Sequence, residues 1–190
     1  MHKGRLEAFS DGVIAIIITI MVLEIKVPHD ATIEALIKLI PVFISYVISF
    51  IYVGIYWNNH HHLFQSVKSV NGKVLWSNLF LLFWLSLIPF SSGWMGENHF
   101  QAVTVPLYGV ILLGCAFSYY LLTLSLLKNH SSESTIHLAI GNKLKERVSL
   151  ILYVAGFVIS FWFPQAAFGI FTIVALVWLV PDKRIEKQLL

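Results

Sequence analysis

The sequence predicts an all-α integral membrane protein with six transmembrane helices and both termini in the cytoplasm. The first observation is composition: of 190 residues, 57% are hydrophobic and only 12% are charged, whereas soluble domains carry roughly 25% charged residues. The second is that six apolar stretches approach the roughly 20 residues that a helix needs to cross a bilayer. The third is that almost all basic residues fall on one side of these six stretches.

The six stretches lie near residues 9–27, 35–57, 74–94, 103–127, 148–163 and 166–180. The last two form one uncharged run of 33 residues, which at roughly 1.5 Å per residue is too long for a single crossing. Proline at position 164 lacks a backbone donor and disfavours helical backbone at the preceding residue. We therefore predict a tight hairpin at Pro164-Gln165.

The charge distribution orients the six spans. With the amino terminus in the cytoplasm, 11 of the 13 Lys and Arg residues lie inside, and only Lys26 and Lys38 lie outside. This asymmetry follows the positive-inside rule. Five spans would instead place Lys183, Arg184 and Lys187 on the outer side, so six spans fit better.

Other classes of protein fit the sequence less well. A cleaved signal peptide over residues 1–27 is the competing interpretation of the first span, but Asp11 opens the apolar run, and Glu24 and Lys26 occupy the place of a cleavage site. Cys115 is the single cysteine, which excludes a disulfide scaffold. Basic residues in short connections do not form a nucleic-acid-binding face. No polar segment is long enough for a second domain, so residues 1–190 form one membrane domain.

Polar side chains within the spans concentrate at the cytoplasmic level of the first three spans. They are Arg5, Ser10 and Asp11, then Asn58, Asn59, His60, His61 and His62, and finally Asn78. Ionisable groups at membrane depth cost about 2.5–3.5 kcal/mol on insertion scales, so each needs a partner. We favour a structural network that fixes helix packing, with Arg5 and Asp11 paired directly or through a neighbouring His or Asn, over a proton relay or substrate site. Consecutive histidines diverge by about 100° on a helix, so we expect no metal site.

The first span carries one apolar stripe. Ile16, Ile20, Leu23 and Val27 recur at helical spacing, beside a track of small residues formed by Gly12, Ala15 and Thr19. Thr19 is the single polar side chain between the levels of Asp11 and Glu24. Such a helix either faces lipid or the core, or its stripe lines a pore that closes by constriction.

The run Arg5-Leu6-Glu7-Ala8-Phe9-Ser10-Asp11 resembles the RxxxFSD signature that opens the first helix of transmembrane protein 175 family channels. Tyr56-Trp57 with the Asn and His cluster that follows, and Trp76 and Asn78 in the third span, extend the resemblance along the chain. The resemblance implies a homotetramer in a prokaryotic plasma membrane, with the first helix of each subunit around a central pore. Its partners would be lipid and monovalent cations, and it would need no cofactor.

The resemblance also implies roles for particular residues. Ile16 would form the narrowest apolar ring, Thr19 a hydroxyl layer that transiently contacts K⁺, and Ile20 and Leu23 further rings. Arg5, Phe9, Ser10 and Asp11 would anchor the pore helix against Asn58, His60 or His61, and Asn78. The predicted function is passive, leak-type conduction of potassium through a hydrophobic constriction, without a carbonyl filter and without enzymatic activity.

The alternatives are a six-span secondary transporter, a proton-conducting membrane protein and a membrane enzyme. A carrier should place acidic groups at mid-membrane and often contains inverted repeats with broken helices, whereas here the deep positions are apolar. An enzyme would need paired carboxylates or a metal set, which Asp11 and a few histidines do not supply. The oligomeric state distinguishes the channel from these alternatives, because a single helix of a monomer cannot enclose a pore.

Overall fold

Eight helices account for nearly all of the regular structure in the computed structural model, which describes residues 2–130 and 144–179. They are α1 (Gly4–Leu23), α2 (Ile33–Ile37), α3 (Ile40–Gln65), α4 (Gly72–Ser86), α5 (Ile88–Glu97), α6 (Thr104–Lys128), α7 (Leu144–Ile159) and α8 (Pro164–Leu179). An isolated β-bridge joins His2 to Ser69. The prediction of an all-α protein is confirmed within these ranges.

Four helical segments are long and apolar enough to cross a membrane. They are α1, α3, the continuous stretch Gly72–Glu97 formed by α4 and α5, and α6. Helix α8 is apolar but shorter, and α7 has 16 residues with Lys145, Glu146 and Arg147 near its start. Basic residues that contribute to the orientation argument, Lys143, Lys183, Arg184 and Lys187, lie outside the described residues.

The third predicted span is interrupted where the sequence analysis expected one helix. Helix α4 ends at Ser86 and α5 begins at Ile88, with Leu87 between them in helical backbone conformation. The cause is Pro89, which has no N–H to donate to the carbonyl four residues earlier and whose ring crowds that carbonyl. The span therefore changes hydrogen bonding near its middle without reversing direction.

The predicted hairpin between the last two helices is present, with its turn slightly earlier than expected. Helix α7 ends at Ile159 and α8 begins at Pro164, a first-turn position where proline costs no helical hydrogen bond. The turn is therefore Ser160–Phe163. A Cβ on Gly156 would lie 2.6 Å from the Phe171 ring, so glycine permits the close approach of the two helices.

Helix α1 packs against α3, α4 and α5 through one face only. That face consists of Leu6, Ser10, Ile14, Ile17 and Met21, all buried. On the other side of this layer, α6 packs against α4, α5 and α7, and α3 contacts α8. The bundle thus holds α1 at its edge and leaves the rest of that helix uncovered within the protomer.

Candidate functional site

The apolar stripe of α1 lies on the uncovered face of the helix. Ile16, Ile20 and Leu23 are 57%, 43% and 76% exposed, and Thr19 is exposed beside them. Residues seven apart on a helix are separated by about 10 Å along the axis, so Ile16 to Leu23 form a continuous strip of about that length. The same protomer buries Ile14 to 1% exposure on the opposite face. Helical periodicity therefore separated the two faces correctly.

The hydroxyl of Thr19 is oriented by its own helix. Its Oγ1 donates a hydrogen bond to the carbonyl oxygen of Ile16 at 2.9 Å. A hydroxyl has one proton and two acceptor lone pairs, so this bond uses the proton and leaves the lone pairs available. No ionisable side chain occurs between Gly12 and Leu23. Among the side chains of the strip, the Thr19 hydroxyl is therefore the group that can coordinate a cation.

A buried hydrogen-bond chain joins α1 to α3 and α4. Ser10 Oγ donates to the Leu6 carbonyl at 2.8 Å and accepts from Asn78 Nδ2 at 2.9 Å. Asn78 Oδ1 lies 2.8 Å from His60 Nε2. Because an amide oxygen only accepts, His60 donates from Nε2. All three side chains are at most 1% exposed, so the two bonds of Asn78 pair polar groups of Ser10 and His60 that water does not reach.

A second, more exposed contact joins α1 to α3. Trp57 Nε1 donates to Asp11 Oδ1 at 3.0 Å, and the Trp57 ring stacks on His61 with centroids 5.9 Å apart. His61 Nε2 in turn lies 2.8 Å from Gln65 Nε2. In the sequence, Trp57 is notable only as part of the family resemblance. Its position one helical turn before His61, at the level of Asp11, is the signal that could have identified it.

Three predicted anchor residues take no part in these two contacts. Arg5 is exposed and forms no ion pair with Asp11 or with any other described residue. Phe9 is 52% exposed. Asn58 is half-buried, and no hydrogen bond of its side chain is found in the described part of the chain; the neighbouring Asn59 instead accepts from Tyr119 at its carbonyl oxygen. Anchor roles for Arg5, Phe9 and Asn58 stay predictions.

Both ends of α1 are tied to neighbouring helices by residues that sequence reasoning did not assign. At the first turn, Lys3 donates to the Phe64 carbonyl on α3 and lies near Glu7. Beyond the last turn, Lys26 pairs with Glu97 at the end of α5, and that hydrogen bond, followed by the charge of Glu97, raises the pKa of Lys26. Helix α1 thus contacts its neighbours at both ends, while the face that carries Ile16, Ile20 and Leu23 is uncovered.

The consecutive histidines do not share one environment. His60 is buried against Phe64, while His61 and His62 are partly exposed. In the described ranges no three His, Cys, Asp or Glu side chains converge as they would to hold a metal ion. Of the three, His60 hydrogen-bonds to a neighbouring helix, through Asn78 on α4, whereas His61 bonds to Gln65 within α3.

Comparison with known proteins places this geometry among ion channels. A family model described as "Endosomal/lysosomal potassium channel TMEM175" matches residues 5–89. "Potassium channel HX13_20290" of Chryseobacterium is 54% identical over 189 residues, covering 100% of this chain and 98% of the relative. "Potassium channel B446_29190" of Streptomyces collinus is 34% identical over 126 residues, covering 62% of this chain and 61% of the relative.

A solved structure agrees over nearly the whole fold. The crystal structure of a lysosomal potassium-selective channel TMEM175 homologue from Chamaesiphon minutus superposes with a TM-score of 0.81 at 29% sequence identity. The superposition covers 93% of this chain and 96% of that chain. The similarity therefore includes the helices after residue 89, which the family model does not reach.

Proposed function

This chain belongs to the TMEM175 family of ion channels, and from that premise we propose that four copies form a potassium-permeable cation channel. As a member of a channel family it is a multi-pass membrane protein and not an enzyme. The potassium specificity, the tetramer and the pore-lining helix are the parts that we propose. Bacterial relatives favour the plasma membrane as its location.

The observation that carries the proposal is the uncovered strip of α1. A helix that packs through one face and is fastened at both ends presents its other face in a fixed orientation. If the protein were a monomer, this face would contact fluid lipid on all sides of Thr19. Fluid lipid would not require the face to point in one fixed direction. Around a symmetry axis the same face becomes the wall of a pore, and closed cyclic symmetry is the usual arrangement of identical subunits.

Conduction through such a wall depends on water. Four Ile16 side chains would form an apolar ring, and a narrow apolar ring resists ions by excluding the water that hydrates them. Four Thr19 hydroxyls one turn further would offer lone pairs in place of part of the lost hydration shell. Ile20 and Leu23 would continue the wall toward the outer side. We propose passive, leak-type conduction with transient K⁺ contact near Thr19 and no bound cofactor.

The proposed topology has six spans and both termini in the cytoplasm. Its spans are α1, α3, α4 with α5, α6, α7 and α8. The 16-residue helices α7 and α8 each measure about 24 Å, slightly less than a hydrocarbon core of about 30 Å. Their packing as a hairpin on α3 and α6 supports counting them as spans of a single membrane domain.

The polar contacts at the cytoplasmic end would set the rotation of α1 about its own axis. The Ser10, Asn78 and His60 chain fixes one side of the helix, and the Asp11 contact with Trp57 fixes an adjacent side. A rotation of one residue, about 100°, would remove Ile16 from the strip. The anchor therefore determines which residues reach the pore.

Ion flux into liposomes that contain only the purified protein tests the proposal. We expect potassium to enter down its gradient, faster than sodium, without any coupled ion. Flux of protons alone would favour a proton-conducting protein, and uptake that requires a second ion gradient would favour a transporter. Either result would contradict the proposed function.

A further inference from the structure

A cavity of about 410 Å³ lies inside the bundle between α3, α6, α7 and α8. None of its lining residues belongs to α1, so it is separate from the proposed ion path. Its walls are mainly aromatic and aliphatic, and they include Tyr52, Tyr56, Ala116, Tyr153 and Trp178. Concave apolar sites of this size, with a few polar groups, are typical of binding sites for small apolar or amphipathic molecules.

The cavity lies near the end of the bundle at which α3 and α6 end and α7 begins. Along α3 its lining runs from Tyr52 to Asn59, which is a length of about 10 Å along the helix axis. Its side wall contains Phe117 and Leu150, which are 55% and 52% exposed. In a membrane these exposed apolar side chains contact acyl chains. The cavity therefore opens sideways toward lipid.

A cationic side chain lies at one end of this opening. Arg147, in the first turn of α7, lines the cavity and is exposed. It forms no ion pair within the part of the chain that the structure describes. Glu146, which also lines the cavity, is already engaged in an interaction within the protein. Among the described residues that line the cavity, Arg147 is thus the cation available to a molecule that enters between α6 and α7.

We propose that the cavity binds an acyl chain of an anionic phospholipid whose phosphate pairs with the guanidinium of Arg147. An arginine guanidinium matches a phosphate with two parallel hydrogen bonds, and basic pockets between transmembrane helices are recurrent headgroup sites. The apolar walls accommodate part of the acyl chain, and the lateral opening leaves the remainder in the bilayer. Phosphatidylcholine also carries a phosphate, but the positive charge of its choline group offsets the attraction of that phosphate to Arg147, so a lipid with a net negative headgroup binds more tightly.

Such a lipid would contact the part of α3 that holds α1. Tyr56 and Asn59 line the cavity. The adjacent Trp57 donates directly to Asp11 on α1, and the adjacent His60 is linked to Ser10 on α1 through Asn78. The bound lipid would therefore stabilise the end of α3. This inference is independent of what the channel conducts, because binding is measured without ion flux.

The test uses the purified channel in detergent with phosphatidylglycerol or with phosphatidylcholine of the same acyl chains. The lipid retained per protomer is measured by native mass spectrometry, and the melting midpoint is measured alongside. Wild type should retain phosphatidylglycerol and melt higher with it than with phosphatidylcholine. Arg147→Gln should weaken that retention at least about tenfold, since hydrogen bonds to charged groups carry this much selectivity.

Three further variants separate the site from general surface charge. Ala116→Phe fills the cavity and should abolish retention with Arg147 intact; Leu150→Trp blocks the opening and serves the same purpose should the first variant not fold. Lys128→Gln removes an equal charge at the end of α6, outside the lining, and should behave as wild type. Equal retention in all variants, an equal loss in Lys128→Gln, or the same protection by glycerol 3-phosphate alone would overturn the proposal.

Discussion

Truncation of Ile16 is the change that should affect conduction most clearly. Ile16 is 57% exposed in the protomer, so Ile16→Ala removes little packing inside the subunit. In a tetramer it removes three carbons from each of four side chains at the proposed constriction. A tenfold rise in flux needs a barrier lower by about 1.4 kcal/mol, or about 0.35 kcal/mol per subunit. That is less than half of the roughly 0.8 kcal/mol associated with a single CH₂ group.

We therefore expect Ile16→Ala to raise potassium flux by about tenfold or more. Ile16→Asn should also raise flux, because it lets water into the ring, and should reduce the discrimination among cations. Ile16→Phe should lower flux, because it narrows the ring. The assay is potassium flux into liposomes, with each variant first shown to elute as a particle of wild-type size.

The matched control for Ile16 is Ile173 on α8. It is 54% exposed, so Ile173→Ala changes a similar apolar surface away from α1 and should leave flux nearly unchanged. Ile14 is unsuitable although it lies off the strip, because it is 1% exposed and its truncation should cost about 2–5 kcal/mol of packing. Equal effects at Ile16 and Ile173, or no effect of any Ile16 substitution, would refute the proposal that Ile16 forms the constriction.

Three further predictions concern the hydroxyl, the anchor and the topology. Thr19→Val, which keeps the shape and removes the lone pairs, should weaken the preference for potassium over sodium without reducing tetramer yield; unchanged selectivity would contradict the proposed role. Asn78→Leu leaves the buried N–H of His60 without its acceptor, at about 1–3 kcal/mol, and removes the bond that Ser10 accepts, so it should lower the melting midpoint of the purified protein; an unchanged midpoint would remove Asn78 from the anchor. In a Cys115→Ala background, an impermeant thiol reagent applied to cells should label Lys38→Cys and not Lys68→Cys, and the reverse pattern would invert the topology.

The stripe of α1 could be predicted because it depends on a single helix. Residue spacing alone determines that Ile16, Ile20 and Leu23 share a face, and the exposure of that face agrees. The interruption at Leu87 could also have been predicted, since Pro89 has no backbone N–H to donate to a helical hydrogen bond. The interruption was not predicted, because the apolar stretch continues through the proline without any change in hydropathy.

The partners of the polar residues could not be predicted in the same way. Residues Arg5 and Asp11 on one helix suggested an ion pair, but Asp11 instead accepts a hydrogen bond from Trp57. Which side chain of α3 faces α1 depends on the rotation of each helix, and packing across the whole interface sets that rotation. The predicted topology placed the polar residues of the first three spans at a similar depth. It did not predict which of their atoms form hydrogen bonds with each other.

Accessibility of Ile20 to a small cationic thiol reagent tests most directly whether the uncovered face of α1 lines the ion path. The measurement is potassium flux through Ile20→Cys channels in a Cys115→Ala background, before and after the reagent, with Ile173→Cys as the control. We predict that modification blocks flux at Ile20→Cys and leaves Ile173→Cys unaffected. Undiminished flux after full modification at Ile20→Cys, verified by mass, would contradict the proposal that this face lines the pore.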